Sequence, residues 1–330
     1  MARKVLVAAL ACAGAFAAFI TLTNSTLLAV RRAGQPMLLA HRGLAQTFSP
    51  DGLKSDTCTA NRIYPPEHRH LENTLASMEA AFAAGADMVE LDVHPTTDGR
   101  FAVFHDWTLE CRSNGTGATR AHSLAELKAL DIGYGYTFDG GHTFPFRGRG
   151  IGLMPALDEV LATFSERRFL IHLKSNEPDD GVRLAKLLSG LPPARLALLA
   201  AYGGDGPVDA VRERLPQLRT MSKHQLKSCL LRYIAMGWSG AVPADCRHSI
   251  VLIPVNDARW LWGWPDRFLD RMARVDTLVF ALGPWDSDDF SRGIDDVEEF
   301  RTLPAGFSGG IWTNRIDRIA PLVRRRSAGR

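Results

Sequence analysis

The sequence predicts an α/β protein, and more narrowly a closed (β/α)8 TIM barrel preceded by an apolar amino-terminal helix. Apolar runs with the length of strands alternate with segments of helical spacing along most of the 330 residues. This β-then-α order favours a parallel sheet with right-handed crossovers, and about eight strands favour its closure as a barrel. Several runs end in a charged or imidazole residue, which is typical of functional groups carried to the carboxyl edge of a parallel sheet.

The predicted elements follow one another in that order along the chain. The predicted strands are 36–41, 87–93, 101–105, 168–174, 197–201, 249–255, 277–281 and 308–312. The predicted helices are 72–84, 123–130, 155–164, 180–189, 208–215, 223–236, 259–274 and 315–324. Gly85 suits the end of the first of these helices, because glycine readily adopts the backbone conformation found there. Residues 219–222 are compatible with one further short strand.

Composition and charge indicate one globular domain without a nucleic-acid partner. The chain is 46% hydrophobic and 23% charged, and its net charge is only +3. A single barrel fits this length, so residues 35–330 are predicted to form one domain. The basic residues form no one-faced stripe, which argues against nucleic-acid binding. An anionic substrate would therefore have to be held by local groups.

The amino-terminal segment, residues 1–34, is predicted to be a membrane anchor or a signal. The stretch from Val5 to Val30 is uncharged and is bounded on both sides by basic residues. About 20 apolar residues suffice to cross a bilayer. A cleaved secretory signal and a buried helix are the alternatives. The predicted location of the barrel is the periplasmic side of the inner membrane, to which the segment would anchor it, or outside the membrane after export. Cleavage, orientation and oligomeric state stay open.

Four cysteines lie beyond this segment, and their even number is compatible with two disulfides in an exported domain. Cys58 lies in the loop after the first predicted strand, and Cys111 lies after the third. In a barrel both loops would emerge on the same face, which favours a Cys58–Cys111 pair. Free, partly buried thiols are the alternative, and no cysteine spacing indicates a zinc site.

Glu90 and Asp92 are the candidate metal ligands. Residues two apart on a strand point to the same face, so both carboxylates would project into the barrel mouth. Two acids so close repel each other unless a cation lies between them or one is protonated. Oxygen ligands of this kind suit Ca²⁺ or Mg²⁺. A solvated acidic strand end is the simpler alternative. His94 continues the same face and is expected at the rim.

His41 and His105 are candidates for proton transfer. Each follows an apolar run, and the inward set of the third predicted strand would be Phe101, Val103 and His105. One such histidine is more often an ordinary core residue. Two imidazoles beside an acidic pair can serve as base and acid, because their ordinary pKa lies near 6.5.

Arg42 and Lys174 would add positive charge at the same edge. Arginine offers paired planar donors to phosphate oxygens, and lysine offers a compact charge. Either residue alone would be read as a solvated surface cation. Together with the acids and imidazoles they indicate phosphoryl chemistry.

These motifs, in this order, resemble the glycerophosphodiester phosphodiesterase family. The resemblance covers roughly residues 36–324 and rests on the following motifs: His41-Arg42-Gly43, Glu72-Asn73-Thr74, Glu90-Leu91-Asp92-Val93, Thr97-Asp98-Gly99, His105-Asp106, Thr108 to Gly115, and Gly310 to Arg315. Each motif is weak alone, whereas the ordered set is specific.

The resemblance implies a TIM barrel that hydrolyses glycerophosphodiesters to glycerol 3-phosphate and an alcohol with the help of a divalent metal ion. By position, His41 and His105 would be the general acid and base. Arg42 and Lys174 would hold the phosphate, and Glu72 would support the site. The substrates would be small glycerophosphodiesters or lysophospholipids.

The sequence departs from the family at His172, where a glutamate is the usual third metal ligand. Imidazole can still bind a divalent ion, but it removes one negative charge and an oxygen donor. The expected metal set is therefore Glu90, Asp92 and His172, with Ca²⁺, Mg²⁺ or Mn²⁺ as candidates. The substitution predicts a weaker preference for Ca²⁺ and a shift toward Mn²⁺ or Zn²⁺.

Two alternative functions stay open at this stage. One is a lysophospholipase D or sphingomyelinase D-like activity on membrane lipids, which an anchored barrel would also suit. The other is a non-catalytic barrel that binds phosphate or lipid after losing its third acidic ligand. The head group is not predicted.

Overall fold

The sheet is built from nine strands, described in a computed structural model that covers residues 2–26, 29, 35–54, 57–285 and 292–328. The predicted boundary at residue 34 lies outside these residues. The strands are β1 Leu38–His41, β2 Met88–Pro95, β3 Phe101–Val103, β4 Arg168–Leu173, β5 Leu199–Gly203, β6 Arg219–Ser222, β7 Ile250–Pro254, β8 Leu278–Leu282 and β9 Gly310–Thr313.

The helices fill the connections between strands, except for the first, which precedes the sheet, and the last, which follows β9. They are α1 Ala2–Asn24, α2 Leu75–Ala84, α3 Leu124–Lys128, α4 Leu157–Thr163, α5 Pro178–Ser189, α6 Pro193–Leu196, α7 Asp205–Arg214, α8 Lys223–Met236, α9 Asp266–Arg274, α10 Val297–Thr302 and α11 Ile316–Ala328. The helix predicted at 72–84 begins only at Leu75, because the Thr74 side chain caps it there, and Gly85 ends it with φ of 117°.

Eight of the strands form the predicted barrel. Their order is β6-β5-β4-β2-β1-β9-β8-β7, and neighbours pair in parallel. Between the outermost strands, the Ser249 hydroxyl donates to the Thr220 carbonyl at 2.7 Å. This nearly closed parallel sheet confirms the TIM-barrel prediction.

The third predicted strand is not a barrel strand, so that part of the prediction is wrong. β3 pairs with β2 in antiparallel fashion, with Val93 opposite Val103. Only the turn 96–100 separates the two strands, whereas a parallel crossover needs about a dozen residues. The eighth barrel strand is instead β6 at 219–222. The sequence is compatible with a short strand there but does not require one.

Alternation along the barrel strands separates a helix-facing core from the barrel interior. Val89, Leu91 and Val93 belong to the core cluster that also contains residues of the surrounding helices. Leu39, Met88, Leu170 and Ala200 belong instead to an interior cluster. Since side chains alternate along a strand, residues two positions beyond these four also point inward, and they are polar. The interior is therefore apolar at its base and polar at the carboxyl ends of the strands.

A second, smaller core supports the long loops on the carboxyl side of the barrel. It contains Leu71, Phe104, Leu109, Tyr136 and other buried residues, with Cys58 and Cys111 packed against it. The disulfide predicted between these two cysteines is present, and Cys229 and Cys246 form another. The Cys58–Cys111 bond thus ties the loop after β1 to the loop after β3.

Removing the Cys58–Cys111 disulfide should destabilise the fold. It closes a span of 53 residues, and losing such a bond costs about 2–5 kcal/mol of unfolding free energy. The variant C58S/C111S can be compared with the wild type by equilibrium denaturation. C229S/C246S is the matched control, because its span is only 17 residues and its loss should be smaller by about 1 kcal/mol. A larger loss in the control pair would contradict the loop-closure argument.

Candidate active site

Strand register brings the candidate residues together at the carboxyl edge of the barrel. In the parallel pairing, His41 of β1 lies opposite Glu90 of β2, and Asp92 of β2 lies opposite His172 of β4. His172 in turn lies opposite Tyr202 of β5. Neighbouring residues in register point to the same side of a sheet. The polar side chains predicted from separate strands therefore meet inside one barrel mouth.

Glu90, Asp92 and His172 form a cluster that fits a divalent cation. Each offers a ligand atom, and these atoms lie within 4.8 Å of one another. Both carboxylates are fully buried, and Glu90 Oε2 has no hydrogen-bond partner among the described residues. A buried polar oxygen without a partner costs free energy, which a bound cation would recover. Two carboxylates and an imidazole are suitable donors for such an ion.

The two carboxylates of this cluster differ strongly in their affinity for protons. Burial and the nearby charge of Asp92 raise the pKa of Glu90 to about 8. Burial would also raise the pKa of Asp92, but the charges of Arg42, His105 and Lys174 hold it well below its usual value. The repulsion expected from their spacing in the sequence is therefore present, and it appears mainly as the raised pKa of Glu90.

Tyr202 belongs to the site, although it is not among the residues predicted from the sequence. Its hydroxyl donates to Glu90 Oε1 at 2.7 Å. Its ring stacks on the His172 imidazole, with centroids 4.1 Å apart and planes 17° from parallel. The predicted strand ends at residue 201, one residue before Tyr202. A polar residue directly after an apolar strand is the sequence pattern that could have identified it.

Arg42 sits in a strained turn that aims its guanidinium at two acids. Its φ is 60°, and the following Gly43 has φ of 81°. A side chain at Gly43 would meet Ser77 at the start of α2, with a Cβ 2.6 Å from the Ser77 Oγ. Arg42 Nη1 donates to Glu72 Oε1 at 3.0 Å, and Nε lies 3.2 Å from Asp92 Oδ2. Strain of this kind clusters at functional sites.

Lys174 and Asn73 complete the surroundings of Asp92. The Lys174 Nζ lies 3.7 Å from Asp92 Oδ1, and burial lowers the pKa of this lysine. The Asn73 amide donates to Asp92 Oδ2 at 3.0 Å and accepts from the Asp92 backbone N–H at 3.2 Å. Lys174 thus lies at the predicted edge of the barrel, whereas Asn73 belongs to a family-like motif but is not among the predicted site residues.

His105 reaches the site by a different route from the one predicted. It follows the antiparallel β3, and the loop is held by a hydrogen bond from the Phe104 N–H to the Asp92 carbonyl at 3.0 Å. His105 Nδ1 lies 2.6 Å from Asp106 Oδ1. Burial and the charge of Arg42 lower the pKa of His105 to about 4. The residue is part of the site even though the strand assignment that led to it is wrong.

Arg112 links His105 to Glu72 through a buried ion network. The guanidinium, only 1% exposed, pairs with Asp106 and donates to Glu72 Oε2 at 3.3 Å. It also donates to the Thr59 hydroxyl at 2.5 Å, next to the Cys58–Cys111 bond. Burial would raise the pKa of Glu72, but Arg112 and Arg42 outweigh it and lower that pKa. Glu72 therefore lies where a supporting residue was predicted.

His41 is oriented by a neutral amide. Its Nδ1 lies 2.6 Å from Asn314 Oδ1, and the Asn314 amide nitrogen donates to Asp295 Oδ2 at 2.7 Å. Because a carboxylate only accepts, the amide nitrogen of Asn314 turns to Asp295 and its oxygen turns to His41. The His41 proton is thus placed on Nδ1, and Nε2 faces Glu90 Oε2 at 3.7 Å.

His94 is fully buried, so its expected place at the rim is wrong. Its Nε2 lies 3.3 Å from the His105 carbonyl, and its ring meets Trp107 edge to face. The short turn to β3 folds the following residues back over this part of β2, which removes His94 from solvent. Burial lowers the pKa of His94 to about 3.

A cavity of about 420 Å³ opens beside the cluster. It is lined by His41, Arg42, Glu72 and Asn314 on the site's side. Its lining also includes Tyr64 and charged side chains of both signs, among them Glu67, Arg315 and Arg318. The site therefore has room for a small ligand that extends away from the acidic cluster.

Fold and site together define a (β/α)8-barrel protein with a candidate divalent-cation cluster and two cationic side chains at its carboxyl edge. Residues 41–185 match the Glycerophosphoryl diester phosphodiesterase family. These residues are therefore similar to that family.

Two relatives of the chain carry the name of the same enzyme. The chain is 32% identical over 163 residues to a glycerophosphodiester phosphodiesterase of Bacillus subtilis, over 49% of this chain and 52% of that protein. It thus spans about half the length of that relative. A probable glycerophosphodiester phosphodiesterase 1 of Mycobacterium tuberculosis is 28% identical over 76% of this chain and 73% of its own length.

A solved structure shares the fold. It is an Oleispira antarctica phosphodiesterase in complex with the product sn-glycerol-3-phosphate, with a TM-score of 0.55 and 18% identity. The comparison covers 88% of this chain and 97% of that one. At this identity the likeness concerns the fold alone.

The Asp106–Arg112 pair should make stability depend on pH. Burial would raise the pKa of Asp106, but Arg112 and His105 hold it far below its usual value. Its stabilisation is then complete above the unfolded pKa of about 3.9 and shrinks by about 1.4 kcal/mol per pH unit below it. D106N should lose about 3 kcal/mol at pH 7, because one partner of a buried pair is removed.

Denaturation of wild type and D106N between pH 7 and pH 2.5 measures this difference. The gap between the two proteins should narrow as the pH falls below 4. D158N is the control, since Asp158 pairs with Arg100 on the surface and such pairs contribute about 0–1 kcal/mol. A gap that stays constant down to the lowest pH would contradict the prediction.

Proposed function

We propose that the protein is a phosphoric diester hydrolase that converts glycerophosphodiesters to sn-glycerol 3-phosphate and an alcohol. One observation carries the proposal: the Glu90–Asp92–His172 cluster lies at the same barrel mouth as two imidazoles and two cationic side chains. The family match, and the product bound to the Oleispira protein, support this reaction over other phosphoryl chemistry.

Arg42 and Lys174 are proposed to hold the phosphate. Both lie beside Asp92, and both are nearly buried. In so dry a site their attraction for an anion is much stronger than at the surface. Glu72 holds Arg42 in place through its 3.0 Å contact. A divalent ion held by Glu90, Asp92 and His172 would supply Lewis-acid stabilisation of charge on the phosphoryl oxygens.

His41 and His105 are proposed as the proton-transfer pair. In each ring Nδ1 has a partner, Asn314 for His41 and Asp106 for His105, so Nε2 remains for the substrate. Burial and the charge of Arg42 lower both pKa values, which keeps both rings neutral near pH 7. A bound phosphodiester anion favours protonation of one ring, and a carboxylate partner stabilises that charge better than an amide. His105 is therefore assigned as the acid and His41 as the base.

The amino-terminal helix is proposed to be a retained membrane anchor. Within the described part of the chain, α1 is the helix long and apolar enough to cross a bilayer, and its side chains are largely exposed. Its 23 residues would measure about 35 Å, against a hydrocarbon core of about 30 Å. The barrel residue Arg271 donates to the Thr23 carbonyl at 2.9 Å and to Asn24 Oδ1 at 3.1 Å. These contacts favour retention over cleavage. The proposed location is the inner membrane, facing the periplasm.

The catalytic assignment is tested with the full-length protein, glycerophosphocholine and a divalent ion. Release of sn-glycerol 3-phosphate is expected. H105A should lower kcat by roughly 10²–10⁴-fold, the usual contribution of general acid–base catalysis. H122A is the matched control, because His122 lies outside the site and its ring nitrogen Nε2 lies 3.1 Å from the Thr116 carbonyl.

Two results would revise the proposal. Equal turnover by wild type and H105A would remove His105 from the proposed catalysis, and no product release by either protein would favour the non-catalytic barrel. Lysophosphatidic acid released from lysophosphatidylcholine, without turnover of glycerophosphocholine, would favour the lysophospholipase D alternative. The two substrates are therefore run in parallel and their products identified.

His172 should shift the metal preference. The wild-type protein should bind Mn²⁺ or Zn²⁺ better than Ca²⁺, because an imidazole replaces an oxygen donor. H172E should raise the affinity for Ca²⁺, and H172A should weaken binding of all these ions. Calorimetric titration of metal-free protein measures each affinity independently of turnover. A strict Ca²⁺ requirement in the wild type would contradict the prediction.

A further inference from the structure

The carboxyl-terminal end of α1 is built into one side of the barrel. The Asn24 amide donates to the Trp238 carbonyl at 2.9 Å, and Arg267 donates to the Ser25 carbonyl at 3.3 Å. The rings of Phe16 and Phe19 meet the Trp238 indole, with centroids 5.4 and 6.4 Å away. The point where α1 leaves the barrel is therefore fixed by polar and aromatic contacts.

Apolar side chains of α8 and of the two segments that follow α8 and β7 are grouped here as the tryptophan face, which reaches α1 at Trp238. Four of its members are exposed, namely Leu231, Ile234, Met236 and Trp260, whereas Trp238 and Trp262 are half-buried. Leu231 and Ile234 follow one another at helical spacing on α8, and the Trp262 indole N–H donates to the Ile234 carbonyl at 2.8 Å. Leu231 is 57% exposed and Trp260 is 59% exposed. Large apolar side chains grouped in this way indicate an interaction surface.

The composition of this region differs from that of the remaining chain. Four of the seven tryptophans fall between residues 238 and 264. Residues 223–274 hold eight lysines and arginines but four aspartates and no glutamate, whereas the whole chain has a net charge of only +3. Tryptophan is enriched where proteins meet the headgroup layer of a membrane, and basic residues are attracted to anionic lipids.

We propose that the tryptophan face rests in the headgroup layer of the bilayer that α1 enters, with a preference for anionic lipids. This inference depends on the anchoring proposed above. The face continues directly from α1 through Trp238, so a bilayer spanned by α1 lies next to it. Arg232 and Arg259 are both exposed and would complement anionic headgroups. Arg259 lies over the Trp260 ring, and Arg232 pairs with Asp245 at 3.4 Å.

The contact leaves the candidate active site uncovered. The site side chains come from β1, β2, β4 and β5, the loops that follow β1, β3 and β4, and the turn after β9, whereas α8 packs against β6 and β7. The lipid contact is thus on a part of the barrel that contributes none of the described site residues. Water-soluble diesters keep their access to the mouth.

Depth-dependent quenching of tryptophan fluorescence tests the proposal. Full-length protein is reconstituted in vesicles of phosphatidylcholine with phosphatidylglycerol, made with or without brominated acyl chains. The emission of Trp260 is the difference between wild type and W260F, and that of Trp107 is the difference between wild type and W107F. Trp107 is the matched control, because it is 45% exposed and touches His94 near the site.

The Trp260 emission should lose most of its intensity in brominated vesicles, whereas the Trp107 emission should stay unchanged. Replacing phosphatidylglycerol with phosphatidylcholine should reduce the loss at Trp260. Unquenched Trp260 in protein that floats with the vesicles would overturn this inference alone. Protein that does not float with vesicles would overturn the anchoring proposal as well, and neither result bears on hydrolysis, which is assayed separately.

Discussion

Glu90 and Asp92 place two carboxylates on one face of a buried strand, and the rest of the site is arranged around their repulsion. Asp92 keeps its charge because Arg42 lies 3.2 Å away. Arg42 is held by Glu72, Glu72 by Arg112, Arg112 by Asp106, and Asp106 by His105. Charges of alternating sign thus run from the candidate metal cluster to the candidate acid, through β2, the turn after β1, the segment before α2 and the loop after β3.

Such a chain is rigid because each member is costly to leave unpaired. In a buried network the loss of one partner strands the next charge in a low-dielectric interior. The long loops on the carboxyl side cannot drift without breaking it, and the Cys58–Cys111 bond holds the two loops at the point where Arg112 meets Thr59. The disulfide, the loop core and the ion network therefore act as one support for His105.

Much of this could be predicted from sequence because strand geometry has a period of two. Leu39 and His41, Met88 and Glu90, and Leu170 and His172 repeat the same inward pattern on three strands, which suffices to place the polar edge of the barrel. The pattern does not reveal pairing direction, so it predicts β3 as a barrel strand although β3 is antiparallel to β2. Partners on distant loops, such as Asn314 for His41 and Arg112 for Asp106, carry no local periodicity, and only the folded chain identifies them.

His172 lacks the negative charge that a glutamate would bring to this position. A third carboxylate at this position would add to the repulsion that already raises the pKa of Glu90. The imidazole Nδ1 of His172 instead lies 2.9 Å from Asp92 Oδ1, and its ring stacks on Tyr202. The Tyr202 hydroxyl in turn donates a hydrogen bond to Glu90. The two carboxylates thus avoid the repulsion of a third acid, while the predicted attraction for a hard cation falls with the missing charge. The predicted preference for a softer ion therefore follows from the same replacement that limits this repulsion.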